Sequence, residues 1–315
     1  MSTTDSFWLR TAPSPTAPRP VLDLPARVDV VVVGAGLAGL CTALRCAEDG
    51  ARVAVLEAGV IAGRTTGHST AKLTALHGAT YHRLARGKGV ELAARYAAAN
   101  IDAVTRLREA IDRLGIECAL TEATAYTCAA TAEGVATIEA EAEAARAVGL
   151  PIELVDGDVC EVPARAAVAL GGQAHVDPVR LCVGLADAVV HLGGFVREST
   201  RVDSVDEAAD GCRVTAGDLT IECDVAVLAT HLPIEDPAML SGRVRPERSY
   251  VVAGPRHGPV PEGMYLAVDA GWSVRPAAGP DGPVVLVGGE GHAMSDHVAS
   301  ADHYRALEAL ARTTF

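Results

Sequence analysis

Residues 28–40 read VDVVVVGAGLAGL, and this stretch decides the fold. Its first six residues are almost all β-branched and run straight into Gly34, the pattern of a strand buried on both faces. Leu37, Leu40, Cys41 and Leu44 then recur at helical spacing over Leu37 to Glu48, and Asp49-Gly50 closes the segment. Residues 52–57, RVAVLE, form a second apolar strand, so the stretch is one complete βαβ unit. The turn between strand and helix is Gly34-Ala35-Gly36-Leu37-Ala38-Gly39, a GxGxxG motif followed by Ala43. Gly34 permits the tight turn, Gly36 lets a pyrophosphate approach the backbone, and Gly39 with Ala43 allows close helix–strand packing. The amides and partial positive charge at the helix N-terminus suit phosphate. Glu57, at the tip of the second strand, is placed to accept hydrogen bonds from adenosine ribose hydroxyls.

The motif alone specifies a dinucleotide; two later features favour FAD over NAD. The polar segment Gly63-Arg64-Thr65-Thr66-Gly67-His68-Ser69-Thr70 follows Glu57 where an NAD domain would proceed into its next βα unit. Arg64 and the hydroxyls can run along an extended cofactor, contacting phosphate or ribityl oxygens. The next strand of the same buried kind, DVAVLATHLP, comes only at 224–233, so a long insertion splits the Rossmann half.

Elsewhere, residues 11–20 are Pro-rich and read as an extended arm. Helical patterns cover 89–114, 131–148, 178–192 and 299–312. Short strands are expected at 123–129, 195–199, 213–216 and 221–230. Strands at 247–254, 263–275 and 283–289, separated by Pro/Gly turns, suggest an antiparallel sheet. The fold class is therefore α/β: a split Rossmann-like FAD-binding domain with an inserted α+β substrate domain on an antiparallel sheet. The expected division is an arm at 1–20, an FAD domain at 21–88 plus 173–236, and a substrate domain at 89–172 plus 237–315.

Composition narrows the partners. Lys and Arg total 27 against 40 Asp and Glu, and a net charge of −13 disfavours nucleic acid. Eight Cys occur without a CxxC pair, and Cys41 and Cys182 sit in apolar runs, as buried thiols do. No signal peptide or membrane span is visible, which points to a reducing cytoplasm.

With these motifs in view, the chain resembles the FAD-dependent D-amino-acid oxidase/glycine oxidase superfamily, and most of all its bacterial subgroup with a C-terminal Rieske domain. The residues that carry this are SFWL (6–9), VVVGAGLAGL, VLEAG, GRTTGHSTAKLT (63–74), GGQAHVDP (171–178), VLATHLP and VGGEGH (287–292). The resemblance implies an antiparallel substrate domain over the flavin and hydride transfer from a C–H bond beside an amine nitrogen to flavin N5. It implies that Val202 meets the adenine through its backbone and that Ala58, Ala229 and Thr230 lie near the cofactor, with His231 where a Gly is more usual. It also implies a further segment of well over a hundred residues, carrying the rest of the flavin site and, in the subgroup, a Rieske 2Fe-2S centre. Such a centre needs CxH and CxxH pairs, which this sequence lacks. The chain is thus expected to be C-terminally shortened, able to hold the adenosine half of FAD.

Among individual side chains, His68 can hydrogen-bond the cofactor or tether it covalently, the plain alternative being an ordinary loop hydrogen bond. Lys72 can contact flavin N1 or N5 and stabilise the reduced anion, or lie on the surface. Ser69 and Thr70 complete the polar loop. His292, Asp296 and His297 are spaced more as solvated loop residues than as a metal site, and no metal is expected. Tyr126, Arg248 and Tyr250 fall on substrate-domain strands, where an Arg would suit a substrate carboxylate. No catalytic base is assigned, because a flavin carries the hard chemistry. Two alternatives stay open: an NAD-dependent dehydrogenase, and a non-catalytic nucleotide-binding remnant or partner subunit. An electron-accepting partner, oxygen or iron–sulfur, accompanies the first reading.

Overall fold

The computed structural model describes residues 6–12, 24–208, 210–232, 234, 239, 241–256, 258–296 and 299–315. In chain order the elements begin with α1 (Phe7–Thr11), β1 (Arg27–Val33), α2 (Leu37–Glu48), β2 (Val53–Leu56) and β3 (Lys72–Leu73). Next come α3 (Thr80–Lys88), α4 (Val90–Leu114), β4 (Thr121–Ala129), α5 (Val135–Ala147), β5 (Glu153–Asp156) and β6 (Ala166–His175). Then follow α6 (Pro178–His191), β7 (Phe195–Arg197), β8 (Ser204–Ala208), β9 (Gly211–Ala216) and β10 (Leu219–Leu228). The chain ends with β11 (Glu247–Gly254), β12 (Met264–Ala267), β13 (Ser273–Gly279), β14 (Gly282–Ala293) and α7 (Ser300–Thr314). These fall into two compact units. The first is 1–69, 114–118 and 177–245; the second is 70–113, 119–176 and 246–315.

In the first unit a six-stranded sheet has the order β7-β2-β1-β10-β9-β8. β1 pairs in parallel with β2 and β10, and β7 continues the parallel run beyond β2. Val53, Ala54, Val55 and Leu56 are all buried, as a central parallel strand requires. One face packs Val31, Val33, Ala54 and Leu56 with Val214, Ile221 and Cys223 from the β9–β10 hairpin. Pro178 starts α6, whose N-cap Asp177 accepts hydrogen bonds from the amides of Val179 and Arg180. The expectation of a fully buried strand at 224–230 needs correction. Val225 is 52% and Leu228 44% exposed, because among the described residues nothing covers that end of β10.

In the second unit the sheet runs β11-β14-β13-β12-β4-β6-β3, with β5 also on β6. The strands β11, β14, β13 and β12 pair antiparallel as expected, and β4, β6, β3 and β5 extend the sheet, joined to them by its one parallel pairing, β12 with β4. The helix expected over 89–114 is α4; the shorter α3 before it was not expected, and Gly89 with φ +91° separates the two. The helix expected from Thr131 starts at Val135. The Asp269 carboxylate holds the preceding turn by accepting from the amides of Ala130 and Thr131 and from the Thr131 hydroxyl. The strand expected over 263–275 is two strands, β12 and β13, hydrogen-bonded to each other. Ten residues of β6, buried at all but Gly171 and Gly172, went unread because AAVALGGQAH lacks alternation. Residues 13–20 of the expected arm lie outside the described residues. No helix among the described residues is long and apolar enough to cross a membrane.

Candidate functional site

The first unit brings most of the expected residues around the glycine turn. Gly34 has φ +108°, and a Cβ there would stand 2.6 Å from the Ala229 carbonyl oxygen. That close approach follows from the sheet, because the Ala229 amide donates to the Val33 carbonyl at 2.8 Å and carries β10's line past the turn. A Cβ on Gly39 would lie 2.0 Å from the Gly34 carbonyl oxygen and 3.2 Å from Ala229 Cβ, so helix and strand touch through their backbones. Gly36 is different. It is the N-cap of α2 with no side-chain cap, and the one neighbour of an added Cβ would be Thr66 Oγ1 at 3.1 Å. The three glycines thus serve a turn, a cradle and a packing contact.

Both oxygens of the Glu57 carboxylate accept main-chain hydrogen bonds, Oε2 from Ala35 N at 2.8 Å and Oε1 from Gly59 N at 2.8 Å. The strand tip is thereby tied to the glycine turn. Ala58 is exposed between these contacts. Val202 is buried beside Leu56 and Ile221, and the nearby Thr200 amide donates to the Glu57 carbonyl at 2.7 Å. Thr230 donates its hydroxyl to the Leu232 carbonyl at 2.6 Å, and His231 is exposed with φ +70°.

The 63–70 loop folds onto the N-terminus of α2. Leu37 N donates to Thr66 Oγ1 at 3.2 Å, which satisfies one of the helix's otherwise free amides. Ala38 is exposed beside it. Thr66–His68 form a short 3-10 turn, and Ser69 Oγ donates to the Thr66 carbonyl at 2.9 Å. Arg64, Thr65 and His68 are exposed; His68 Nδ1 lies 2.7 Å from the Arg64 carbonyl, a local loop hydrogen bond. Two residues to which no site role had been given hold this loop from α1. Trp8 Nε1 donates to the Ser69 carbonyl at 2.8 Å, and the Ser6 hydroxyl donates to the Gly67 carbonyl. The available signal was a tryptophan in a chain with only two.

Thr70 and Lys72 belong to the second unit. Lys72 is half-buried on β3, opposite His175 of β6, and its Nζ donates to the Tyr265 carbonyl at 2.7 Å. Burial, and then the charge of Arg275, lowers its amine to a pKa of about 7. Arg275 is almost wholly buried. Its guanidinium donates to the carbonyls of Thr70, Val176 and Pro276 and to Nδ1 of His175 at 3.0 Å. A guanidinium only donates, so the His175 proton sits on Nε2. Burial, reinforced by Arg275 and Lys72, drops that imidazole's pKa to about 4, so it is neutral.

Tyr126 stacks on Tyr265 with centroids 4.6 Å apart, and Arg248 is exposed on β11. His292 is not in a solvated loop as expected; it is half-buried on β14, with Nε2 3.1 Å from the buried Tyr250 hydroxyl. Asp296 is exposed, and His297 lies outside the described residues. Among the described residues no three His, Cys, Asp or Glu side chains converge as a metal site would need.

A family model described as "FAD dependent oxidoreductase" (DAO) matches residues 29–315. The chain belongs to this family of FAD-dependent oxidoreductases. It is 28% identical over 312 residues to the putative Rieske 2Fe-2S iron-sulfur protein YhfW of Bacillus subtilis, covering 98% of this chain and 61% of the relative. It is 27% identical over 251 residues to gamma-glutamylputrescine oxidoreductase of Escherichia coli, covering 78% of this chain and 57% of that protein. The chain therefore spans about three-fifths of the length of these relatives. Among solved structures, glycine oxidase from Geobacillus kaustophilus superposes with a TM-score of 0.68 at 21% identity, over 91% of this chain and 78% of that one. L-proline dehydrogenase from P. horikoshii gives 0.69 at 17% identity, over 92% and 78%. At these identities the likeness is one of fold, and that fold is the α/β architecture of the FAD-binding oxidases.

Proposed function

We propose that the chain uses FAD to oxidise the C–H bond next to the nitrogen of a small amine or amino acid. The observation that supports this most is the glycine cradle. Gly36 puts no side chain at the N-terminus of α2, where a pyrophosphate would lie alongside the Thr66 hydroxyl, with Glu57 one strand away for the adenosine ribose. Gly34, Ala35, Gly36, Leu37, Ala38 and Gly39 would hold the pyrophosphate, with Thr65, Thr66, Arg64, His68 and Ser69 alongside. Ala58, Val202, Ala229 and Thr230 would frame the adenosine end. On this reading the first unit binds the cofactor and the second provides the substrate surface. Bound FAD would supply the two-electron acceptor; the protein's share is to bind, orient and exclude water.

The amine class is supported by the gamma-glutamylputrescine named for one relative, and the glycine and L-proline named for two proteins of the same fold agree with it. Electrons would pass to oxygen, or to an iron–sulfur partner domain as the Rieske-named relative suggests. The visible spectrum of the purified chain tests the reading. The expected result is a flavin band near roughly 450 nm that bleaches anaerobically with a member of an amine panel. A colourless chain that binds NAD would support a dehydrogenase, and flavin that no amine reduces would support the non-catalytic remnant.

A further inference from the structure

The eight cysteines play no part in the function proposed above, yet two of them are direct cross-strand neighbours. In the β9–β10 hairpin of the first unit, Cys212 is the antiparallel partner of Cys223. Both side chains lie on the core-facing side of the hairpin: Cys223 is fully buried, and the half-buried Cys212 packs in the same apolar cluster. Directly opposed residues in such a ladder have Cα atoms roughly 4.5–5.5 Å apart, within the roughly 4.4–6.8 Å that a disulfide spans.

Two further features hold the pair together. Gly211, immediately before Cys212, has φ +122°, and a Cβ there would be 2.1 Å from the Cys223 carbonyl oxygen. Only glycine lets the start of β9 pass so close to its partner. On the opposite face of the same hairpin, Arg213 faces Glu222 across the ladder with a 3.6 Å ion pair, in register with the cysteines beside it. By contrast, Cys41 and Cys182 sit on two different helices, and Cys128 and Cys160 on a strand and a loop, with no shared ladder.

We propose that Cys212 and Cys223 are a redox-responsive dithiol that hydrogen peroxide closes to a disulfide and thiol reductants reopen. The half-buried Cys212 reacts first. Its sulfur attacks one peroxide oxygen, the O–O bond breaks, and water leaves, giving a sulfenic acid. The Cys223 sulfur then attacks that sulfur and releases a second water. In sum, two thiols are oxidised and one peroxide is reduced to two waters. Opposed Cβ atoms in a ladder sit somewhat farther apart than a relaxed disulfide needs, about 4.5–5.5 Å against about 3.5–4.5 Å. The closed bond therefore draws the strands inward, and a strained disulfide is the readily reduced kind. Because β10 runs on to Ala229 beside Gly34, closing the pair stiffens a strand that borders the glycine turn.

Peptide mapping of the full chain tests this. Trypsin cuts after Arg201, Arg213 and Arg243, so the two cysteines fall in separate peptides, Val202–Arg213 and Val214–Arg243. The chain is treated with hydrogen peroxide, alkylated under denaturing conditions and digested without reductant. The expected result is a linked pair of these peptides, free thiols falling from eight to six, and release of both peptides by dithiothreitol. Cys212→Ser and Cys223→Ser should each abolish the linked species. Both peptides recovered alkylated, both recovered as sulfinic acids, or a link found only in covalent dimers would each overturn the proposal.

Discussion

Both carboxylate oxygens of Glu57 accept main-chain hydrogen bonds, one from the glycine turn and one from its own loop. Glu57→Ala leaves the Ala35 and Gly59 amides without this acceptor. It is expected to lower stability by about 1–3 kcal/mol, measured by urea unfolding, and to weaken FAD binding with it. Lys72 makes a prediction of opposite character. Its amine has a pKa of about 7 in the folded chain, against roughly 10.4 when unfolded. Between those values the unfolded chain binds more protons, so stability rises with pH across that window and the cost of charging Lys72 is fully present below it. Lys72→Met is expected to flatten that rise in Tm between pH 7 and pH 10. An unchanged slope would show that the amine is not held neutral. At this scale the glycines and Glu57 were legible in the sequence, because each is required by local backbone geometry. The exposure of His68 and the burial of Lys72, only four residues on, were not, since both depend on which distant strands close over them.

Among the elements, α3 shows how a helix can be set by a residue far along the chain. Its N-cap Ala79 has no capping side chain; instead Glu141, buried on α5, accepts from Tyr81 N at 3.0 Å and His82 N at 2.7 Å. An anion at a helix N-terminus meets both the free amides and the helix dipole. Burial is the larger influence on Glu141 and raises its pKa above the ordinary carboxylate value, with the two amide bonds pulling the other way. Glu141→Ala is expected to cost about 2–3 kcal/mol in thermal or urea unfolding. A raised carboxylate pKa means the folded chain binds more protons just above the unfolded pKa, so this group's contribution falls as pH rises there. Glu141→Gln should remove that fall while keeping one acceptor. On α5 the neighbouring Glu139 and Glu143 are exposed to solvent. Glu141 is the exception, and no periodicity distinguishes it from its neighbours.

In the whole molecule, the second unit depends on a buried cation as much as on its apolar cluster. Arg275 on β13 reaches the chain just before β3 and the end of β6 through Thr70, Val176 and His175, so one side chain joins strands that are not neighbours. Arg275→Leu would leave several buried acceptors unmatched, at about 1–3 kcal/mol each. The expected outcome is loss of the cooperative unfolding transition of that unit, followed by near-UV circular dichroism or proteolysis. The first unit was readable from one βαβ stretch because parallel strands buried on both faces have a distinctive composition. The second was only partly readable. Its β6 has no alternation, its β12–β4 pairing is parallel inside an otherwise antiparallel sheet, and its central polar residue is a lone Arg in an apolar strand.

The central claim is that the glycine turn binds FAD by its adenosine and pyrophosphate half. Calorimetric titration of the full chain with FAD, ADP, FMN and NAD, repeated for Gly36→Val, tests it most directly. A Cβ at Gly36 meets little protein, only Thr66 Oγ1 at 3.1 Å, so the variant should fold and crowd the cradle itself. FAD and ADP are expected to bind, FMN is not, and Gly36→Val is expected to weaken FAD by at least about tenfold, or about 1.4 kcal/mol. Binding of FMN as tight as that of FAD, or FAD binding unchanged in Gly36→Val, would contradict it.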